Sequence, residues 1–210
     1  MKNHQIYKTV IVADGAFPTH DIPIGYLQNA NKIICCDGSA GKLVKAGFVP
    51  DAIVGDMDSL SEPMAESFSD RLFTERSRDT NDLTKAVLWC NERGYTDLVI
   101  IGATGKREDH TIANISLLVE YAKENNVIVV TDTGIFTPML ESHETSSFPG
   151  QQISIFSIDN ETEITSSGLR YPLTKRKLDN WWSGTLNESL GESFTLEFNR
   201  GRVIVYLQFP

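Results

Sequence analysis

The chain has 210 residues, with 19 Lys and Arg against 28 Asp and Glu and a formal net charge of −9. At 40% hydrophobic and 22% charged residues it belongs with globular proteins that bury a core, in one large or two small domains, and not with disordered chains. The acidic balance excludes the basic face that nonspecific binding to nucleic acid or to an anionic membrane needs, so neither is an expected partner.

Residues 1–8 are polar and lack the charged region and apolar stretch of a secretory signal, and no apolar run approaches the roughly 18 to 20 residues of a membrane helix. A cytoplasmic protein is expected. Cys35, Cys36 and Cys90 form neither an even set nor a CxxC pair, which reads as buried, reduced thiols.

In chain order, residues 9–12, 33–36, 52–54, 98–101 and 127–130 are short, continuous apolar runs, the pattern of strands covered on both faces. Between them, residues 39–46, 81–93 and 110–125 carry helical spacing; Leu83, Ala86, Val87 and Cys90 share one face, and Ile112, Ile115, Leu118, Val119 and Ala122 another. Alternation of this kind predicts a Rossmann-like α/β fold: a doubly wound, mostly parallel sheet over residues 1–142. Residues 153–158 alternate apolar and polar, 161–165 are rich in Thr and Glu, and 194–198 and 203–209 flank the turn Asn199-Arg200-Gly201. Period-two runs joined by tight turns predict an antiparallel β-sandwich or barrel over 143–210, with a join around 142–149.

Four clusters carry chemistry. Cys36-Asp37-Gly38-Ser39-Ala40 ends a strand in Asp37, turns at Gly38 and offers Ser39 as a helix cap, either as a plain Asp-Gly turn or as a nest of free N–H groups. In Gly55-Asp56-Met57-Asp58-Ser59 two carboxylates two residues apart follow a buried strand, as in a solvated turn or a site for a hard cation such as Mg²⁺. Arg78-Asp79-Thr80-Asn81-Asp82-Leu83-Thr84-Lys85 opens a helix capped by Asp79 or Asn81, and sets Asp82 and Lys85 on neighbouring positions. Gly102-Ala103-Thr104-Gly105-Lys106-Arg107-Glu108-Asp109-His110 is a glycine-containing loop between strand and helix whose Lys106 and Arg107 suit phosphate. His110 reads either as structure or as support for the site, and His4, His20 and His143 read as surface residues. The segment Val12-Ala13-Asp14-Gly15-Ala16 repeats the strand-Asp-Gly context of Asp37 outside these four clusters.

Residues 37–82 hold ten acidic side chains against five basic ones, a local charge of −5 that is more than half the total in under a quarter of the chain. Three of the four clusters follow strands at their carboxyl ends, where open α/β sheets take ligands. Converging carboxylates repel one another unless a cation joins them, and a divalent metal with a polyphosphate resolves that repulsion.

The four motifs, in this order and spacing over about residues 30–120, closely resemble the thiamine pyrophosphokinase family. Ser167-Gly168-Leu169-Arg170-Tyr171-Pro172-Leu173 and Gly184-Thr185-Leu186-Asn187-Glu188 look like that family's thiamine-binding β domain, with Leu186 where the family usually has Ser. The resemblance implies an enzyme that transfers diphosphate from ATP to the hydroxyl of thiamine, giving thiamine diphosphate and AMP with Mg²⁺. It implies a homodimer whose sites join the α/β domain of one subunit to the β domain of the other. Carried over by position, Asp56, Asp58 and Asp82 hold metal and, with Arg107 and Asp109, form the catalytic set. ATP contacts fall to Asp37, Gly38 and Ser39, to Asp79, Thr80, Asn81 and Lys85, and to Thr104, Gly105, Lys106 and His110. Thiamine contacts fall to Tyr171, Trp181, Trp182, Thr185 and Asn187, the aromatics stacking on the cationic thiazolium. The alternative is a pyrophosphokinase of the same fold acting on another hydroxymethyl heterocycle, such as a pterin.

Overall fold

The computed structural model describes residues 9–77 and 79–210. Residues 1–8, with His4, and Arg78 of the third cluster lie outside the described residues. The chain divides into two compact units, Met1–Ile115 with Glu124–Asp132, and Ser116–Lys123 with Thr133–Pro210.

The first unit contains β1 (Thr9–Val12), α1 (Asp21–Gln28), β2 (Lys32–Cys36), α2 (Ala40–Lys45), β3 (Ala52–Gly55), α3 (Glu62–Ser67), β4 (Leu72–Thr74), α4 (Asp82–Asn91) and β5 (Asp97–Ile101). The helix α5 (Glu108–Tyr121) begins in this unit, and β6 (Asn126–Val130) completes it. Its strands lie in the order β6-β5-β1-β2-β3-β4, all parallel. The five apolar runs read as strands are strands, and the side chains of Ile11, Ile34, Ile53 and Leu98 through Ile101 are fully buried, as a sheet covered on both faces requires.

The differences lie where periodicity carries no information. Helix α3 buries none of its residues, so it has no apolar stripe to read. Helix α1 contains Pro23 and Gly25 and is positioned from outside its own sequence: Asp132 accepts from Thr19 N, Thr19 Oγ1 and His20 N at 2.8–3.1 Å, and His20 Nδ1 accepts from Ile22 N. His20 is thus a helix cap and not merely a surface residue. In α5, Leu118 and Val119 are buried as expected, but Ile112, placed on the same face, is 55% exposed. The three cysteines are buried and free, and burial pushes the thiols of Cys35 and Cys90 up to about 12, so they stay protonated.

The second unit is antiparallel, a sandwich of two sheets. One has the order β12-β9-β14-β7, from β7 (Gly134–Met139), β9 (Gln152–Ser157), β12 (Asn187–Glu188) and β14 (Val203–Gln208). The other has β8 (His143–Ser146), β10 (Glu163–Ser167), β11 (Arg176–Lys177) and β13 (Ser193–Glu197) in the order β11-β10-β13-β8. Residues 143–146, read as part of a linker, are instead an edge strand paired with β13; polar residues suit an exposed edge and so hide the strand. The division falls between Asp132 and Thr133, because β7 pairs along its whole length with β14; the sequence reading sets it at 142.

Inward-facing Ile153, Ile155, Ile164, Phe194, Leu196, Val203 and Val205 form the second core. Arg202 fastens this unit's own helical segment: it bonds Asp159 through Nη2 at 2.7 Å and Glu120 through Nη1 at 2.8 Å. Phe194, 1% exposed, is among the largest fully buried side chains. Phe194→Ala is expected to destabilise the protein by about 3–5 kcal/mol, measured as a lower midpoint in urea at unchanged slope.

Candidate active site

The parallel sheet winds one way from β1 through β2 and β3 to β4, then returns to place β5 on the other side of β1. The switch point of a doubly wound sheet therefore lies between β1 and β5, where the following loops diverge and leave a crevice. A cavity of about 530 Å³ opens there, lined by Ala13–Gly15 after β1, Cys36 at the end of β2, Asp56 and Ser59 after β3, Ser77, Thr80–Leu83 and Lys85 at the start of α4, and Ala103, Thr104, Lys106, Arg107, His110, Thr111 and Asn114 around the start of α5.

The two loops beside the switch point are knitted together. Ala13 N donates to Ile101 O, Gly15 N to Gly102 O and Ala16 N to Thr104 O at 2.6–2.9 Å. A Cβ on Gly15 would stand 2.3 Å from Gly102 O, and Gly102 adopts φ +66°, so both positions need glycine. Asp14 accepts from Lys42 Nζ at 2.7 Å and Lys106 Nζ at 2.8 Å, and these partners hold its carboxyl below the usual range in spite of burial. Asn81 accepts from Thr84 N as the cap of α4 and donates to Asn114 Oδ1, while Asn114 donates to Ala103 O; the third and fourth clusters are thereby joined.

On the carboxylate side, Asp37 is 3% exposed. Its Oδ1 accepts from Gly38 N at 2.7 Å, but Oδ2 is buried with no hydrogen-bond partner. Burial above all, with the nearby charges of Asp82 and Asp56, raises its pKa. Lys85, 5% exposed, sets its Nζ 2.8 Å from Asp82 Oδ1 and 3.9 Å from Asp56 Oδ2. Among the described residues no three His, Cys, Asp or Glu side chains converge closely enough to cage an ion by themselves. The donor set suits Mg²⁺, which takes one or two carboxylates and completes its shell with water and phosphate oxygens, and the orphaned Oδ2 of Asp37 is an uncompensated acceptor within reach of the charges of Asp82 and Asp56.

Of the residues singled out from the sequence, Asp56, Asp82, Thr80, Asn81, Lys85, Thr104, Lys106, Arg107 and His110 line this one cavity. Asp37 lies buried close to Gly55, whose Cβ would stand 2.8 Å from the Asp37 carboxyl carbon. Others are placed differently. Ser39 is fully buried, makes no cap bond to α2, and holds its Oγ 2.7 Å from Val12 O and Cys36 O; the helix-cap and ligand-contact readings give way to a bolt between strand ends. Gly38 packs against Asp14, since a Cβ on it would stand 2.7 Å from Asp14 Oδ2, so the position serves close approach of the two chain segments. Asp58, Asp79, Gly105 and Asp109 are exposed and do not line the cavity. Asp58 N donates to Asp56 Oδ1 across Met57, which sits at φ +70°. Asp109 grips Arg107 through two hydrogen bonds of 3.0 and 2.6 Å, and Arg107 holds its carboxyl below the usual range. Lining residues that the four clusters omit are Ala13, Asp14, Gly15, Ser77, Thr111 and Asn114; the repeated strand-Asp-Gly pattern is the one signal for Asp14.

The second unit has its own cavity of about 620 Å³, lined among others by Tyr171, Pro172, Arg176, Thr185, Leu186 and Asn187. Tyr171 and Trp182 are 59% and 75% exposed, and Trp181, 41% exposed, leans edge-on against Phe156. Asn187 is 5% exposed: Nδ2 donates to Tyr171 O, while Oδ1 accepts from Tyr171 N and Glu188 N. Its amide fixes the Tyr171 backbone from the cavity wall. Thr185 Oγ1 donates to Trp182 O, and Leu186, 77% exposed, stands at φ +58°.

A family model described as "Thiamin pyrophosphokinase, catalytic domain" matches residues 25–130, and one described as "Thiamin pyrophosphokinase, substrate-binding domain" matches residues 134–206. The thiamine pyrophosphokinase of Bacillus subtilis (strain 168) is 27% identical over 94% of this chain and 97% of its own length. Thiamine pyrophosphokinase 1 of Oryza sativa subsp. japonica is 27% identical over 67% of this chain, which spans 64% of the rice protein. Among solved structures, the thiamin pyrophosphokinase of Geobacillus thermodenitrificans superposes with a TM-score of 0.78 at 25% identity, covering 96% of this chain and 97% of that one. The yeast thiamin pyrophosphokinase, at 15% identity, shares the fold with a TM-score of 0.77 over 99% of this chain and 88% of its own.

Asp37, with its Oδ2 buried and without a hydrogen-bond partner, is a destabilising element kept inside the first unit. Asp37→Asn keeps the Oδ1 acceptor for Gly38 N and removes a negative charge that opposes those of Asp82 and Asp56. A higher thermal midpoint of the metal-free protein by several degrees is expected, measured by differential scanning calorimetry in EDTA.

Proposed function

The chain belongs to the thiamine pyrophosphokinase family, and we propose that it transfers the terminal diphosphate of ATP to the hydroxyl oxygen of thiamine, releasing AMP. The observation that carries this reading is a single cavity at the switch point that combines Asp56 and Asp82 with Lys106 and Arg107. A wholly basic cavity would suit a bare polyanion and a wholly acidic one a bare cation; the combination suits the two together. The pterin alternative finds no counterpart in the substrate-binding model that matches residues 134–206.

In the transfer, the thiamine oxygen bonds to the β-phosphorus as the bond from that phosphorus to the oxygen bridging the α-phosphate breaks; AMP keeps that electron pair, and the hydroxyl loses its proton. Chemistry of this type rests on positioning and charge neutralisation. Asp56 and Asp82 would hold Mg²⁺, which when bound neutralises the polyphosphate and draws electron density from the phosphorus under attack. Lys106 and Arg107 bring the complementary positive charge from the glycine loop. Asp109 orients Arg107; with its carboxyl held low by that guanidinium it is a weak proton acceptor. Asn81, through Asn114, keeps the start of α4 in register with that loop.

For the second substrate, exposed Tyr171 and Trp182 offer aromatic faces to a cationic heterocycle, and Asn187 acts through the backbone it braces. Tyr171, Trp181, Trp182, Leu186 and Leu190 together leave a large apolar area exposed on the β unit. Such an area supports a homodimer in which this surface meets a second copy and the ligand. A cytoplasmic location belongs to the same reading; among the described residues no helix is long and apolar enough to cross a membrane.

Release of AMP from ATP is expected to require both thiamine and Mg²⁺ in a coupled assay; release that ignores thiamine, or equal turnover of a hydroxymethyl pterin, would overturn the reading. Asp56→Asn should lower kcat/KM on the order of 10²- to 10³-fold at an unchanged circular dichroism spectrum. Trp182→Ala should raise the KM for thiamine about tenfold and leave that for ATP alone, consistent with loss of about 1–2 kcal/mol of cation–π contact. Asn187→Ala should raise the same KM and also cost about 1–3 kcal/mol of stability in urea, since it strips the partners from Tyr171.

A further inference from the structure

Lys85 is a buried cation at a position where the sequence suggests a ligand contact. Its side chain is 4% exposed, its Nζ lies 2.8 Å from Asp82 Oδ1 and 3.9 Å from Asp56 Oδ2, and Asp37, with its unpartnered buried Oδ2, adds a third negative charge to the same neighbourhood. An ammonium buried this deeply does not survive desolvation unless carboxylates compensate it, and the carboxylates do not stay together unless a cation compensates them. Helix geometry supplies the link: Asp82 and Lys85 are three residues apart on α4, just inside the Asn81 cap, so the ammonium is brought to the cluster by a rigid element and not by a mobile loop.

We propose that Lys85 is a built-in counter-ion of the Asp37–Asp56–Asp82 cluster, which holds the carboxylates together in the metal-free protein and competes with Mg²⁺ for them, so that the metal is taken up strongly only in company with a polyphosphate. The inference rests on the Mg²⁺ reading above and assigns Lys85 a positioning role in place of a direct ATP contact. Its physical content is a sign. A residue that merely shapes the site weakens metal binding when it is removed; removing a resident cation strengthens it, because one positive charge within about 4 Å of two ligands opposes the incoming one.

The test is calorimetric titration of Mg²⁺ into the full-length protein, wild type, Lys85→Met and Lys85→Arg, with and without a non-hydrolysable ATP analogue. The wild type is expected to bind Mg²⁺ at least about tenfold more tightly with the analogue than without it. Lys85→Met, which keeps the shape and loses the charge, is expected to bind Mg²⁺ alone at least about tenfold more tightly than the wild type, whereas Lys85→Arg stays close to the wild type. Thermal unfolding gives a second readout: Lys85→Met should melt lower than the wild type in EDTA and gain more from added Mg²⁺. Mg²⁺ affinity that is unchanged or weaker in Lys85→Met overturns the inference. Should that variant be unfolded in EDTA, recovery of its native circular dichroism on adding Mg²⁺ supports the inference, and failure to recover overturns it. If the wild type takes up no Mg²⁺ even with the analogue, the metal reading itself falls; if it does and Lys85→Met binds no more tightly, only the role given to Lys85 falls.

Discussion

Mutual repulsion among Asp37, Asp56 and Asp82 is the constraint around which the first unit is arranged. Each sits at or just past an element end, Asp37 after β2, Asp56 after β3 and Asp82 at the start of α4. The parallel sheet brings those ends together because all its strands point the same way, and the hydrophobic burial of β1, β2, β3 and β5 supplies the free energy that keeps them there. The balance is local: a buried ammonium on one side, and on the other a loop whose Lys106 and Arg107 are already engaged by Asp14 and Asp109. Lys85, Lys106 and Arg107 therefore each enter the metal-free protein with a carboxylate attached, and a phosphate must displace or share these partners to be held.

Legibility in the sequence follows burial. The five strands of the parallel sheet that are covered on both faces read directly as apolar runs, and α4 shows its stripe in Leu83, Ala86, Val87 and Cys90, all buried. What does not read is either too exposed or too short for a pattern: α3, with no buried residue; β4, an edge strand of three residues; and β8, whose His-Glu-Thr-Ser composition is that of a turn. Strand β7 has only Gly134 and Met139 buried at its ends, which leaves no alternation to detect.

The site divides along a similar line. Residue types and their order are enough to bring Asp56, Asp82, Lys106 and Arg107 to one cavity, because these lie at element ends whose positions the strand pattern dictates. Orientation is not legible. Ser39 lies in the right loop and faces the strand carbonyls; Asn187 lies in the right turn and has its amide occupied by Tyr171. Whether a polar side chain meets a ligand or its own backbone depends on one rotamer and on contacts far away in sequence, such as the 27 residues that separate Ser39 from Val12. Asp14 is legible as a pattern and not as a function, since its meaning comes from two lysines, 28 and 92 residues away.

The main-chain bonds that tie Ala13, Gly15 and Ala16 to the loop after β5 extend the ladder between neighbouring strands past the end of the sheet. With Gly15 lodged against two carbonyl oxygens there is no room for the two loops to slide or separate without breaking several bonds at once. The crevice floor is therefore as stiff as the sheet that carries it, and the entropy of ordering it is spent when the protein folds, not when a nucleotide arrives. Discrimination at this end of the site is that of a fixed template, which rejects a misfitting phosphate chain by geometry instead of closing around whatever enters.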